Sequence, residues 1–211
     1  YYQSAALDGS RPAAFFINLK ETHDWPKYNL PTLAYHETVP GHHLQLALSQ
    51  ESGRIPIIRR TGGGFSAFTE GWALYAEQLA SEIGVYEGDP LGQVGFLQSF
   101  LFRACRLVVD TGIHSKGWSR EKAIAFMLEN TALTRTNIEA EVDRYITWPG
   151  QALAYKLGEL KIRELRARAE TALGPKFDLR GFHDAVLKNG SVPLDVLEAQ
   201  IDAWIAARKA V

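Results

Sequence analysis

The sequence has little of what would place it in a specialised class of protein. Cys105 is the single cysteine among 211 residues, so an internal disulfide is excluded and a buried, unreactive thiol is expected. No apolar run approaches the roughly 20 residues that cross a bilayer, so no membrane span is predicted. The formal net charge of -1 offers no basic surface for nucleic acid. With 46% apolar residues, the chain can instead bury a substantial core.

The start of the sequence also lacks an initiator methionine and any segment that resembles a secretion signal. Because it begins at Tyr1, the chain is interpreted as a fragment of a longer protein, whose missing N-terminal part is an expected partner. Localisation stays undetermined between cytoplasmic and, if the missing part carries a signal, periplasmic or lipoprotein. Residues 1–211 are interpreted as a single helical domain.

The hydrophobic pattern is helical along most of the chain. The predicted helices cover residues 31–49, 65–83, 90–111, 119–130, 136–146, 149–173, 178–187 and 193–208. One convincing strand candidate covers residues 13–19, and its partner is expected to be missing upstream chain, a second copy or a peptide along its edge. The predicted fold class is therefore all-α with one edge β-strand.

Metal-ligand chemistry is concentrated in residues 36–43, which read His-Glu-Thr-Val-Pro-Gly-His-His. Imidazole nitrogen and carboxylate oxygen suit a zinc ion. In zinc hydrolases that carry the pattern HExxH, the Glu after the first His is the general base. Glu37 holds that position here. Such a cluster has no evident packing role, which favours a metallohydrolase over ordinary polar residues of packed helices.

The spacing of the histidines differs from HExxH, where two histidines four residues apart share a helix face. On an unbroken helix His42 would point about 120° away from His36, and His43 would lie roughly 10 Å along the axis. A kink or bulge at Pro40-Gly41 would return His42 to the side of His36, because proline removes a backbone donor and glycine tolerates unusual dihedral angles. His42, rather than His43, is the predicted ligand.

A third protein ligand is expected on the next helix. Glu70 is the first choice, since it lies near the helix start and Gly71 beside it allows another helix to approach. Glu77 is seven residues further on and faces a similar direction, so it is either the ligand itself or a residue that supports a ligand. The prediction is one Zn²⁺ per chain.

Four blocks of sequence, in order, resemble a known family. They are residues 36–45, residues 68–73, residues 110–114, and residues 148–152 with Tyr155-Lys156. They resemble the bacterial family catalogued as domain of unknown function eight hundred and eighty-five, which is grouped with the gluzincin clan of zinc peptidases. This resemblance implies that the chain is the C-terminal catalytic portion of such a protein. It implies His36, His42 and Glu70 as ligands, Glu37 as base, and a peptide or amide substrate.

An oxyanion formed during hydrolysis needs a hydrogen-bond donor. Tyr155 is the first candidate, with Gln151 one helical turn before it, and Tyr145 and His114 are the alternatives. A buried tyrosine with a satisfied hydroxyl is the competing interpretation of Tyr155. Three cations are candidates to bind a substrate carboxylate: Arg103, Arg106 and Lys156. The competing interpretation of each is a surface or ion-paired residue. An extended substrate is also expected to be able to pair with the strand at residues 15–19.

Two other functions fit the same residues. A non-catalytic relative would keep the helices as a peptide-binding module, although such proteins often lose the base that Glu37 represents here. An oxygenase built on two histidines and one carboxylate would use the same ligands, but the adjacent Glu37 favours hydrolysis.

Overall fold

The chain folds as a mainly α-helical protein in a computed structural model that describes residues 1–19, 22, 26–61 and 64–210. Its helices within those residues are α1 (Leu30–Glu37), α2 (His42–Glu51), α3 (Ile57–Thr61), α4 (Ser66–Glu82), α5 (Pro90–Lys116), α6 (Arg120–Asn130), α7 (Arg135–Thr147), α8 (Gln151–Leu173), α9 (Leu179–Leu187) and α10 (Leu194–Lys209). Short 3-10 turns occupy Lys27–Asn29 and Gly174–Lys176. The predicted all-α class is confirmed. None of the helices described is both long enough and apolar enough to cross a bilayer.

The longest helix, α5, begins and ends at residues whose local chemistry explains its length. Asp89 accepts a hydrogen bond from the backbone N–H of Gly92, and Pro90 occupies the first turn, where no intrahelical donor is needed. The helix continues five residues past its predicted end because its stop is Gly117, which adopts the left-handed conformation with φ of 65°. This extension carries His114 on the last turn of α5.

The strand prediction is only partly correct. Of residues 13–19, only Ala14–Phe15 (β2) forms a strand. It pairs antiparallel with Tyr2–Gln3 (β1) of the same chain, with Tyr2 opposite Phe15. None of the three predicted partners was right, because residues 1–3 are close enough in sequence to form the pair through a turn.

Two hydrophobic clusters hold the helices together. One joins α4, α8, α9 and α10 around buried residues that include Phe68, Trp72, Ile162, Phe182 and Ile201. The other joins α5, α6, α7 and the start of α8 around residues that include Phe102, Cys105, Met127, Ile138 and Ala152. Cys105 is buried, as predicted. Helix α8 belongs to both clusters and therefore connects them.

Helices α4 and α8 pack with their backbones in close contact. A Cβ atom added at Gly71 would lie 2.5 Å from the backbone of Gly158, and one added at Gly158 would lie 1.8 Å from the carbonyl oxygen of Ala67. Only glycine allows this approach. The prediction that Gly71 admits a neighbouring helix is correct. The contact places the first turns of α4, including Glu70, against α8.

A directional hydrogen-bond chain crosses the first cluster. Arg166 on α8 donates to the hydroxyl oxygen of Tyr75 at 3.2 Å, and that hydroxyl is 2.8 Å from Nε2 of His183 on α9. The Tyr75 oxygen accepts from Arg166, and its hydroxyl proton is available to a neutral His183 ring. Burial, together with the charge of Arg166, lowers the pKa of His183 to about 4. Burial raises the pKa of Tyr75 to about 12.

We predict that His183 makes the protein less stable as the pH falls from about 6.5 to 4. In the unfolded chain the imidazole protonates near its ordinary pKa of 6.5, whereas in the fold it protonates near 4, so between these values the unfolded state binds more protons. The shift is worth at most about 3 kcal/mol, and solvent screening at this partly exposed site reduces the expectation to about 1–2 kcal/mol. Urea unfolding at pH 7 and pH 4.5 measures it, with His183→Gln as the comparison. Parallel losses in the wild type and the variant would contradict the prediction.

Candidate metal centre

The segment between the two histidines ends one helix and starts another. Helix α1 ends at Glu37 and α2 begins at His42, so the predicted single helix with a kink is wrong. Pro40, whose peptide bond with Val39 is cis, has no backbone donor to extend α1. Gly41 lies so close to α1 that a Cβ atom on it would be 1.9 Å from the carbonyl oxygen of His36. The chain therefore turns back on α1, as only glycine permits there.

An aromatic side chain from α4 holds this turn in place. The indole N–H of Trp72 donates to the carbonyl oxygen of Pro40 at 2.8 Å. Trp72 is two residues beyond Glu70 and is almost fully buried in the first hydrophobic cluster. The same helix that carries the carboxylate thus also fixes the segment that positions His42.

His36, His42 and Glu70 converge on one point. Oε2 of Glu70 lies 3.5 Å from Nε2 of His36 and 3.3 Å from Nε2 of His42. The ligand atoms of the three residues all lie within 4.8 Å of one another, and the two imidazole rings are 4.8 Å apart and nearly perpendicular. Ligands about 2.0–2.1 Å from a tetrahedral zinc ion are about 3.4 Å apart. The spacing therefore matches that of a zinc site.

The carboxylate of Glu70 gives a second indication that a cation fits here. Its Oε2 atom is buried and makes no hydrogen bond within the described part of the chain, although it faces both imidazoles. A buried carboxylate oxygen that makes no hydrogen bond is costly. The donor set of two imidazole nitrogens and one carboxylate oxygen is one that zinc accepts. The residues present therefore fit a zinc ion.

The electrostatics of the group favour positive charge. Burial alone would lower the pKa of His36, but the carboxylates of Glu70 and Glu77 outweigh it and raise the pKa to about 9. Burial would likewise raise the pKa of Glu70, yet the two imidazoles hold it well below its ordinary value. A cation between these groups is thus stabilised by two buried carboxylates.

Glu77 lies behind His36. Nδ1–H of His36 donates to Oε1 of Glu77 at 2.8 Å, and the hydroxyl of Thr32 donates to the other oxygen of Glu77. Glu77 and His36 are 1% and 3% exposed, so this contact is shielded from water. In the neutral form of the ring this contact places the proton on Nδ1, which leaves the lone pair of Nε2 for a metal ion on the side of Glu70 and His42. Of the two roles predicted for Glu77, the geometry fits support of a ligand.

Glu37 and His43 flank the converging group. The Glu37 side chain is 12% exposed, and one of its oxygens lies 3.9 Å from the amino group of Tyr1. Nδ1 of His43 forms a 3.0 Å hydrogen bond with the hydroxyl of Tyr2, whose ring also lies against the imidazole. The short sheet β1–β2 thus contacts the motif through His43, whereas His42 faces Glu70.

Tyr155 lies against the other side of His36. The two rings are 6.2 Å apart and nearly parallel, and Tyr155 is 7% exposed. Gln151 and Arg144 each donate to the Tyr155 hydroxyl oxygen at 3.2 Å. Both donors use the oxygen, so the hydroxyl proton stays available for another acceptor. Gln151 therefore contacts Tyr155, as its position one turn earlier predicts.

Arg106, Tyr145 and His114 form a separate group. Arg106 is 3% exposed, and it donates from Nε to the Tyr145 hydroxyl at 3.0 Å and from a terminal nitrogen to Glu141. Nε2 of His114 donates to the carbonyl oxygen of Tyr145 at 2.9 Å. Burial raises the pKa of Tyr145 well above its usual range, although the charge of Arg106 acts in the opposite direction. These contacts join α5 to α7, and the role of Tyr145 or His114 as an oxyanion donor stays a prediction.

Three residues that shape the site had no role assigned to them from the sequence: Thr32, Trp72 and Arg144. Thr32 precedes His36 by four residues, which places both on one face of α1, and that spacing was a usable signal. Arg144 lies 11 residues from Tyr155 across a helix break, where no sequence periodicity applies.

Comparisons with known proteins place the chain in a family. No curated protein matches it. A solved structure described as "the putative lipoprotein from Colwellia psychrerythraea" is 52% identical and superposes with a TM-score of 0.95 over 98% of this chain. Another, "a putative lipoprotein of unknown function from Shewanella oneidensis", is 28% identical, with a TM-score of 0.78 over 90% of this chain. This chain spans 35% of the length of each.

The family model described as "Bacterial protein of unknown function (DUF885)" matches residues 1–201. This match covers all the elements that build the His36, His42 and Glu70 group. The chain therefore belongs to the DUF885 family of bacterial proteins.

Proposed function

We propose that this chain carries the catalytic centre of a zinc-dependent peptidase of the gluzincin type and forms the C-terminal portion of a longer protein. The observation that supports it most is the convergence of two Nε2 atoms and a buried carboxylate oxygen that makes no hydrogen bond within the described residues, at zinc-like spacing. The sequence resemblance to a peptidase clan supplies the reaction type. The coverage of 35% of each solved relative is consistent with a portion of a longer chain.

Zinc on His36, His42 and Glu70 would acidify a water molecule and polarise a carbonyl group. Glu37 follows His36 directly at the end of α1, and it accepts a proton from the attacking water. The water oxygen bonds to the carbonyl carbon, the C–N bond breaks, and Glu37 passes the proton to the departing nitrogen. The products are a carboxylic acid and an amine, so no redox partner is needed.

Tyr155 and Glu77 have supporting roles in this proposal. The Tyr155 hydroxyl is held by Gln151 and Arg144, and it donates a hydrogen bond to the carbonyl oxygen as negative charge develops there. Glu77 keeps the His36 ring in one orientation and one tautomer.

Both solved relatives are described as putative lipoproteins, which favours the lipoprotein alternative for the location of this protein over the cytoplasmic one.

Zinc titration of the purified, metal-stripped protein tests the proposal directly. We expect about one zinc ion per chain, measured by elemental analysis after dialysis and by competition with a chromophoric chelator. A second titration with Mg²⁺ serves as control, because a site of two imidazoles and one carboxylate discriminates against an ion that prefers all-oxygen ligands. Binding well below one equivalent in a folded sample would overturn the proposal.

A further inference from the structure

A cavity of about 440 Å³ lies between α1, α5 and α7, on the Glu77 side of His36. Its wall includes the charged residues Glu77, Glu141, Arg103 and Arg106 and the aromatic ring of Phe102. This volume is within the range of small-molecule binding sites, about 300–1,000 Å³. It is therefore large enough for a terminal residue of a peptide.

Two arginines in this wall have buried nitrogen atoms that make no hydrogen bond within the described residues. Arg106 is 3% exposed, and its second terminal nitrogen is buried and makes no hydrogen bond within the described residues. Nε of Arg103 is also buried and makes none there. A buried guanidinium N–H without an acceptor carries a large desolvation cost. Both groups therefore indicate an anionic or strongly accepting occupant.

The carboxylates nearby already have other partners. Glu141 is shared between Arg106 and Arg144, and Glu77 is engaged by His36 and Thr32. Neither glutamate therefore supplies an acceptor for the buried nitrogens of Arg103 and Arg106 that make no hydrogen bond in the part of the chain that the structure describes. A carboxylate matches the planar fork of a guanidinium better than a neutral group does.

The arginines are close to the candidate metal group. The guanidinium carbon of Arg106 lies 4.5 Å from the centre of the Tyr155 ring, that of Arg103 lies 5.3 Å from it, and the Tyr155 ring is 6.2 Å from the ring of His36. Arg106 is therefore within about 11 Å of His36. An extended peptide advances about 3.3–3.6 Å per residue, so this distance corresponds to at most three residues.

We propose that this cavity binds the free C-terminal carboxylate of the substrate through Arg103 and Arg106. This inference rests on the proposed function, and it makes the enzyme a carboxy-terminal exopeptidase that releases one to three residues. Lys156, the third cation considered from sequence, is excluded from this role because its ammonium group is paired with the buried Glu159. The apolar ring of Phe102 in the same wall accommodates the side chain of the terminal residue.

Binding to metal-stripped protein tests the carboxylate site without relying on catalysis. The probes are N-acetyl-Ala-Phe, its C-terminal amide, and a glutamate derivative whose terminal carboxylate is blocked but whose side chain is free. Calorimetry is expected to show the free acid binding about 10- to 100-fold more tightly than the amide, as for a charge-assisted hydrogen bond. Equal binding of acid and amide would overturn the proposal. Preference for the glutamate derivative would overturn the C-terminal assignment.

Arg103→Gln should remove most of the difference between acid and amide. It is the primary variant because Arg106→Gln leaves the partly buried Glu141 with less charge compensation and can unfold the protein. Arg106→Lys is the second variant, since it keeps the charge but not the fork. Arg168→Gln, which affects only surface ion pairs, is the matched control and should bind like the wild type. An unchanged acid preference in folded Arg103→Gln and Arg106→Lys would contradict the assignment.

The two proposals fail in different ways. Acid preference without zinc binding or hydrolysis leaves the carboxylate site standing and overturns the peptidase. Hydrolysis of acid and amide with equal kcat/KM leaves the peptidase standing and overturns the carboxylate site.

Discussion

Replacing His42 with alanine is expected to abolish stoichiometric zinc binding, whereas the same replacement at the adjacent His43 should leave it intact. Nε2 of His42 lies 3.3 Å from Oε2 of Glu70, while His43 is turned toward the hydroxyl of Tyr2. Loss of a residue that only supports a ligand typically weakens metal binding by about 10–100-fold, so loss of a ligand should weaken it by more than about 100-fold. Competition with a chelator of known affinity measures the change.

The pair of variants contains its own control. Both remove one imidazole from α2, and the positions are consecutive, so a general effect on helix stability would be similar in the two. Circular dichroism establishes that each variant is folded. If His43→Ala loses zinc and His42→Ala keeps it, the ligand assignment is reversed. If both keep it, neither histidine is a ligand.

Glu37→Gln is expected to retain zinc and to lose hydrolysis by about 10²–10⁴-fold. The amide has the size of the carboxylate but cannot accept the proton of the attacking water, and general base catalysis typically contributes a factor of that order. Glu37 is absent from the converging ligand group, so zinc affinity should change little. The measurement compares kcat on a peptide substrate with the zinc content of the same sample.

Glu51→Gln is the matched control for this variant, because Glu51 is an exposed glutamate at the end of α2. It should keep both zinc and activity. Loss of zinc in Glu37→Gln would mean that Glu37 is a ligand. A wild-type protein that binds zinc and peptide but hydrolyses nothing would favour the alternative of a non-catalytic peptide-binding module.

Much of the fold was predictable because it depends on local chemistry. Helical periodicity, with proline at helix starts and glycine at helix ends, predicts α4 to α10 within a few residues, apart from the longer α5. The family resemblance was also predictable, since it rests on ordered sequence blocks, and it is confirmed by the match over residues 1–201. Chemical type limited the candidates to a few residues, because few side chains other than those of His, Glu, Asp and Cys bind zinc. The expected bulge at Pro40-Gly41 then favoured His42 over His43, and the position near a helix start favoured Glu70 over Glu77.

Contacts between residues far apart in sequence were determined only by tertiary packing. Tyr2 forms a hydrogen bond with His43, and Trp72 donates to the carbonyl oxygen of Pro40. The guanidinium of Arg103 and the ring of His36 both lie against the ring of Tyr155.

The sequence by itself therefore determined the helical class, the family and the kinds of residue proposed as ligands. Tertiary structure decided that α1 and α2 are separate helices, that His42 faces Glu70, and that Arg103 and Arg106 line a cavity beside them. The physical reason is that helix formation and ligand chemistry act over a few neighbouring residues. The direction in which a side chain points across a helix break is instead set by what packs against the turn, here α4 held close to α8 by Gly71 and Gly158.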